Sequence, residues 1–360
     1  MADLTTFAEH WAAQRLPSDL VHLDIAACGR ISTGVLDGQI AHVLAEASGG
    51  YLAEADALPL IDGGKTALAA LLGRDGADVA YVDSGATAFS VLLAGWPLLR
   101  GARIGTAPSE YGGNAMVLTL LAEQRGWTLV DLPVDALGRI TEVPAGLDLV
   151  TFPQIASQRG VLQPVEDVLA SGVPLLLDVA QSLGQVEVPS GAAAYVGTSR
   201  KWLCGPRGVG FLVVDPTWET RLTGPANLAT AMYTDVRRFE APEGHIAGRV
   251  GLAVALEEWS PELLPVVQAT ARRARELLTD AGATVVEPLD SPTGITTVLL
   301  DGDDVLAARA ALLARGFVTT AVPTSRAVEL DRPVLRFSTG AWVTEDDLGR
   351  AADALRRHTH

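Results

Sequence analysis

The chain is poor in lysine, cysteine and local positive charge, and each scarcity narrows what it can be. Among 360 residues only Cys28 and Cys204 are cysteine, too few for a disulfide framework or a thiolate metal cluster. Of the 27 basic residues only Lys65 and Lys201 are lysine, so chemistry that needs a primary amine falls on one of two side chains. The formal charge is −16 and no basic stripe interrupts it. That argues against nucleic acid or an anionic membrane as a partner, because phosphate binding needs clustered cations. Long apolar runs are missing too: stretches such as 91–95 and 175–177 fall far short of a bilayer span. The opening Met1-Ala2-Asp3-Leu4 has neither a basic n-region nor an apolar core, so no signal peptide and a cytoplasmic location are expected. No repeat or low-complexity tract is visible.

What is present is a globular composition, 48% hydrophobic and 19% charged, at a length that suits a large domain and a smaller one. Apolar β-rich runs at 79–82, 102–105, 128–132, 149–152, 174–178, 193–197 and 208–214 are spaced by helical stretches at 63–72, 87–96, 114–125 and 164–170. This alternation predicts an α/β layer around a mainly parallel sheet, and the wholly apolar strands predict helices on both faces. Past residue 249, helical stretches at 250–258 and 261–281 lead into strand, helix and strand at 294–300, 303–315 and 334–339, closed by a helix at 344–357. The expected division is a large unit, 1–245, and a smaller C-terminal α/β unit, 246–360. Residues 1–20 are a candidate to pack on the smaller one.

Open α/β sheets bind ligands at the carboxyl ends of their strands, so polar residues there matter most. Asp178 ends the run Leu175-Leu176-Leu177, where an acid is costly to bury alone. It reads either as a cap or arginine partner, or as an acid that keeps a heterocyclic nitrogen protonated. Lys201, in Thr198-Ser199-Arg200-Lys201-Trp202, follows another strand within apolar and glycine-rich sequence. A desolvated lysine beside a cation such as Arg200 has a lowered pKa and can form a Schiff base. Lys65 instead opens an amphipathic helix. Asp83-Ser84-Gly85-Ala86-Thr87 joins a strand to a helix, where small residues bring backbone N–H groups to a phosphate or simply cap the helix. Two look-alikes fail. Gly64-Lys65-Thr66 has Pro59 where a P-loop needs glycine, and the glycines at 205, 208 and 210 precede a strand rather than a helix.

A phosphate-type loop, a strand-end Asp followed by Gln181, and a strand-end Lys together resemble the class V, cysteine desulfurase-like family of fold-type I pyridoxal 5′-phosphate (PLP) enzymes. The resemblance runs from Leu23-Asp24-Ile25-Ala26-Ala27-Cys28-Gly29-Arg30 to Leu335-Arg336-Phe337. Its most specific segments are Asp178-Val179-Ala180-Gln181, Thr198-Ser199-Arg200-Lys201, and Arg238-Phe239-Glu240-Ala241 with Ile246-Ala247-Gly248. It implies a large domain on a mainly parallel seven-stranded sheet flanked by helices, a smaller α/β C-terminal domain, a homodimer, PLP as cofactor and no metal. Lys201 would carry PLP covalently and shuttle a proton, Asp178 would pair with the ring nitrogen, and Gln181 would bond the ring oxygen. Ala86, Thr87, Thr198 and Arg200 would hold the phosphate. Tyr111, in Glu110-Tyr111-Gly112-Gly113-Asn114, stands where a stacking histidine is usual and can stack as well. Ala27 and Ser157 would face the substrate. Arg336 would grip its α-carboxylate, a task suited to a bidentate guanidinium. Where family members usually offer a threonine to the partner subunit's phosphate, this chain has Pro242-Glu243-Gly244-His245.

Desulfurases need a cysteine on the loop before the carboxylate-binding arginine, and 319–326 has none. Ala26-Ala27-Cys28-Gly29-Arg30, Ser157-Gln158-Arg159-Gly160 and Thr198–Trp202 look most like the C–S lyases of ergothioneine biosynthesis. That likeness implies β-elimination from hercynylcysteine sulfoxide, giving a sulfenic acid, pyruvate and ammonia. Rival readings are another lyase or epimerase of the same fold, or a non-catalytic scaffold. For a trimethylammonium group, Tyr51, Tyr233, Trp342 and Glu243 are the candidate contacts.

Overall fold

The wholly apolar runs become strands of one sheet whose two faces are both covered. The computed structural model describes residues 4–359 apart from 242 and 328. In chain order the first part contains α1 (Leu4–Ala13), β1 (Val21–His22), α2 (Thr33–Gly49), α3 (Leu52–Ala70), β2 (Val79–Val82), α4 (Gly85–Gly95), β3 (Arg103–Thr106), α5 (Gly112–Arg125), β4 (Thr128–Asp131), β5 (Leu149–Pro153), α6 (Val165–Ala170), β6 (Leu175–Asp178), β7 (Ala194–Thr198) and β8 (Gly210–Val214). Two short helices, α7 (Pro216–Glu219) and α8 (Leu228–Met232), precede α9 (Ile246–Glu258) and α10 (Leu263–Asp280). The chain ends with β9 (Thr284–Val285), β10 (Ile295–Leu299), α11 (Val305–Ala314), β11 (Phe317–Val318), β12 (Thr320–Val322), β13 (Val334–Ser338) and α12 (Glu345–Thr359).

The main sheet has seven strands in the order β2-β8-β7-β6-β5-β3-β4. Strands β7, β6, β5, β3 and β4 pair in parallel, and β8 is antiparallel to both neighbours. Every residue of β2, β5, β6 and β8 is buried. Side chains alternate between two cores with the period of a strand. Leu175 and Leu177 join Leu68, Leu72 and Leu252 on one face, while Leu176 joins Phe89, Leu92 and Leu93 on the other. This is the fold-type I architecture, with the parallel strand ends of β5, β6 and β7 opening toward one side.

A second sheet, β12-β13-β10-β9, is antiparallel, and its core includes Leu312 from α11 and Leu355 from α12. The N-terminal segment packs here: β1 pairs in parallel with β11, and Trp11 of α1 lies against Leu263, Val266 and Ala341. A division at 245 cuts through packed structure. Val250, Leu252 and Leu256 of α9 sit in the same core as Tyr81 and Phe211, so the chain leaves the large layer only after Trp259. Helix α2 and the first half of α3 also differ from the expectation. Lys65 lies inside α3, which begins at Leu52 and runs through Pro59. No helix among the described residues is long and apolar enough to cross a membrane.

Leu177 is fully buried at the sheet centre, one residue before Asp178. Leu177→Ala is expected to lower unfolding free energy by about 2–5 kcal/mol, measured by urea denaturation, because the close-packed sheet face cannot collapse into the space.

Candidate active site

The carboxyl ends of β5, β6 and β7 meet the first turn of α4 around a cavity of about 310 Å³. Strand β2 delivers the turn Asp83–Ser84 and then α4, whose N-cap Ser84 accepts the Thr87 N–H at 3.1 Å. The N–H groups of Gly85 and Ala86 have no acceptor within the helix, as at any helix start. The turn can press this close to the sheet only because β8 has glycine at 210. A Cβ there would lie 2.1 Å from the Ser84 carbonyl carbon. Arg200 and Arg207 line the same cavity, so it offers both cationic side chains and a helix N-terminus to an anionic group.

Lys201 and Asp178 face this cavity from the loop after β7 and the end of β6. Burial pushes the Lys201 amine down to about 7; Asp178 opposes the shift, while Arg200, Arg336 and Arg326 reinforce it. Burial likewise raises Asp178, against the pull of Lys201 and of its hydrogen bonds. Oδ1 of Asp178 accepts the Ala180 N–H at 2.8 Å, and Oδ2 accepts from Asn114 Nδ2 at 2.8 Å. The other lysine is occupied elsewhere: Lys65 Nζ lies 2.6 Å from Glu240 Oε1. Lys201 is therefore a buried amine with a substantial unprotonated fraction at neutral pH, and that is the form that adds to a carbonyl.

Arg336 on β13 reaches the cavity from the second sheet and is 1% exposed. Asp24 holds it with a 2.8 Å ion pair, and Asp24 in turn accepts the Thr320 hydroxyl at 2.6 Å. Nη1 of Arg336 donates to the Ser157 carbonyl, and its Nε has no protein partner. A buried donor of this kind is expensive to leave unpaired, so the site is suited to an incoming carboxylate.

Ten of the eleven residues marked in the sequence line this one cavity: Ala27, Ala86, Tyr111, Ser157, Asp178, Gln181, Thr198, Arg200, Lys201 and Arg336. Thr87 does not; its N–H and hydroxyl are engaged with Ser84, which does line the cavity. Gln181 is braced by donating to the Ala26 carbonyl at 3.0 Å and accepting from Trp202 Nε1 at 2.9 Å. The Tyr111 ring folds over Gly113, where a Cβ would come within 2.8 Å of Cε1. The aromatic and acidic candidates for a trimethylammonium contact are not among the lining residues: Tyr51 is 84% exposed, and Trp342 is buried under Arg15. Pro242 lies outside the described residues. Sequence reasoning gave no role to Asp24, Arg207, Asn114 or Arg326. Each lay inside a quoted motif or loop, but nothing in a linear pattern shows which polar side chain turns inward.

Residues 21–284 match the family model described as aminotransferase class-V. The chain is 38% identical to a protein of Mycobacterium tuberculosis named probable hercynylcysteine sulfoxide lyase, over 97% of this chain and 93% of that one. Among solved structures it superposes with TM-score 0.84 and 17% identity on the apo cysteine desulfurase of Thermococcus onnurineus, covering 95% of each chain. A second, with TM-score 0.84, 17% identity and coverage of 94% and 97%, is a mutant C-DES with glycine covalently linked to its PLP cofactor.

The residues fit that cofactor. A buried amine with a lowered pKa, a buried carboxyl, and an N–H-bearing turn in a cavity that two arginines also line match an aldehyde, a ring nitrogen and a phosphate. The pH dependence follows from the lowered amine. Below about 7 Lys201 is protonated and cannot add to the aldehyde. The rate at which the cofactor-free protein captures PLP, followed by absorbance, is expected to rise with pH through a midpoint near 7; a midpoint near that of free lysine would contradict it.

Proposed function

Because this chain belongs to the class-V aminotransferase family and is a PLP enzyme, we propose that it is a carbon–sulfur lyase that eliminates a sulfenic acid from hercynylcysteine sulfoxide, as in ergothioneine formation. The observation that carries this reading is the company Lys201 keeps: Asp178 and Arg336 line the same cavity, and no cysteine does. A desulfurase must present a thiol to take sulfur from its substrate. A β-sulfoxide needs none, because the sulfur departs with its own oxygen as a sulfenate, a better leaving group than a thiolate.

When bound, PLP supplies an electron sink for the pair released from the substrate's Cα–H bond. The chain's own groups do the rest. Arg336, steadied by Asp24, would bind the α-carboxylate and so orient the substrate's Cα. The Lys201 amine, its pKa lowered to about 7 by burial, would take the α-proton. With PLP bound, Asp178 would be the group that keeps a proton on the ring nitrogen. Loss of the β-substituent leaves a three-carbon fragment that water converts to pyruvate and ammonia.

Beyond Tyr111, Ser157 and Arg326 a wider cavity of about 1060 Å³ adjoins the first. Its walls include Glu123, Asp131 and Glu329, and again no cysteine. Tyr111 and these carboxylates suit a cationic trimethylammonium group better than the residues the sequence suggested. The same reading includes a cytoplasmic homodimer. Ile40, Val43 and Leu44 on α2, with Leu52 and Leu58 on α3, are exposed apolar side chains that a second copy would cover.

Pyruvate release tests the substrate. Hercynylcysteine sulfoxide is expected to turn over at least a hundredfold faster than free cysteine in kcat/KM, about 3 kcal/mol of transition-state discrimination. Equal or faster turnover of cysteine would overturn the assignment.

A further inference from the structure

Glu110 is buried at 7% exposure directly before α5 and has no part in the chemistry above. Its Oε1 accepts the Tyr111 N–H at 2.7 Å and Asn114 Nδ2 at 3.1 Å, while Oε2 has no partner. Asn114 is 2% exposed, and the same Nδ2 donates to Asp178 Oδ2 at 2.8 Å. Both amide hydrogens of Asn114 are thus spent between two carboxyl groups. We infer that Glu110 is a positioning residue for the reaction: through Asn114 it fixes the carboxylate of Asp178 in the orientation that faces the cofactor's ring nitrogen. The inference rests on the PLP reading and on nothing about the substrate.

Helix capping alone does not explain this arrangement. Serine, threonine or aspartate at position 111 would cap α5 without burying a carboxyl group, whereas Glu110 is sealed off with one oxygen unsatisfied. Burial first, then the nearby Asp178, pushes Glu110 up to about 8. It is therefore a neutral acceptor at neutral pH and adds no second negative charge behind Asp178. The groups that face this unit are few. Asp178 feels Lys201 across the cavity; Arg200, Arg336 and Arg326 act on Lys201; Glu110 feels Asp178. Without Glu110 the Asn114 amide would be held by its bond to Asp178 alone, and the second bond, to Glu110, fixes its plane.

The test uses the PLP-loaded enzyme and reads the pH midpoint of its visible band, cofactor affinity and thermal melting. Glu110→Ala frees Asn114, so Asp178 holds the ring proton less well. With less positive charge on the ring, the linkage to Lys201 keeps its own proton to higher pH. The midpoint is expected to rise by about one unit, with roughly tenfold weaker PLP retention. Glu110→Gln preserves a neutral acceptor and is expected to leave the midpoint within about 0.3 unit of the parent. In an Asn114→Ala background, Glu110→Ala should add nothing, since the coupling runs through Asn114. A lower melting temperature with an unmoved midpoint in Glu110→Ala would reduce Glu110 to a structural residue and overturn the inference. So would a shift in Glu110→Gln as large as that in Glu110→Ala. If Glu110→Ala does not fold, an unmoved midpoint in Asn114→Ala overturns it equally. Failure of the parent protein to develop any visible band with PLP would instead strike the cofactor reading itself.

Discussion

Two groups of opposite charge, Lys201 and Asp178, are taken out of water at the ends of adjacent strands, and the rest of the structure is organised around the cost of doing so. Desolvation is the largest influence on both. Buried charges of this kind persist only where neighbours compensate. Here burial brings the lysine's pKa down to about 7, and the acid is held by Asn114 and the Ala180 N–H. The same burial that would destabilise an ordinary protein supplies an amine ready to react.

The fold makes that burial affordable by covering both sheet faces. Because side chains of β5, β6 and β7 alternate between two cores, their carboxyl ends emerge in register beside α4 and α5. The second sheet then contributes Arg336, and β1 with its following loop contributes Asp24 and Ala27. Segments more than three hundred residues apart in sequence therefore share one cavity, exemplified by the Asp24–Arg336 ion pair. Small residues allow the close approaches: Gly210 against the Ser84 turn, and Gly113 beneath Tyr111.

Much of this could be read from the sequence, and the failures have physical reasons. The apolar runs that became β2 through β8 were legible because central strands must be apolar on both faces. Helix α2 was not, since only Val35 and His42 of its residues are buried and no amphipathic period marks it. β9 and β11 are two residues long, too short to leave a pattern. Lys201, Asp178 and Arg336 stood out because charge at the end of an apolar strand is conspicuous. Asp24, Glu110 and Asn114 did not, since each acts through another residue and only three-dimensional contact shows it. Thr87 was expected at the phosphate; it bonds to the capping Ser84, and Ser84 is the one of the two that lines the cavity.

The central claim is that a single amine, Lys201, carries the cofactor. Borohydride reduction of the PLP-loaded protein followed by peptide mass mapping tests it most directly. The account predicts one pyridoxyl-modified peptide, bearing Lys201, and no reducible adduct in Lys201→Ala. A modified Lys65 peptide, or a stable adduct that survives Lys201→Ala, would contradict it.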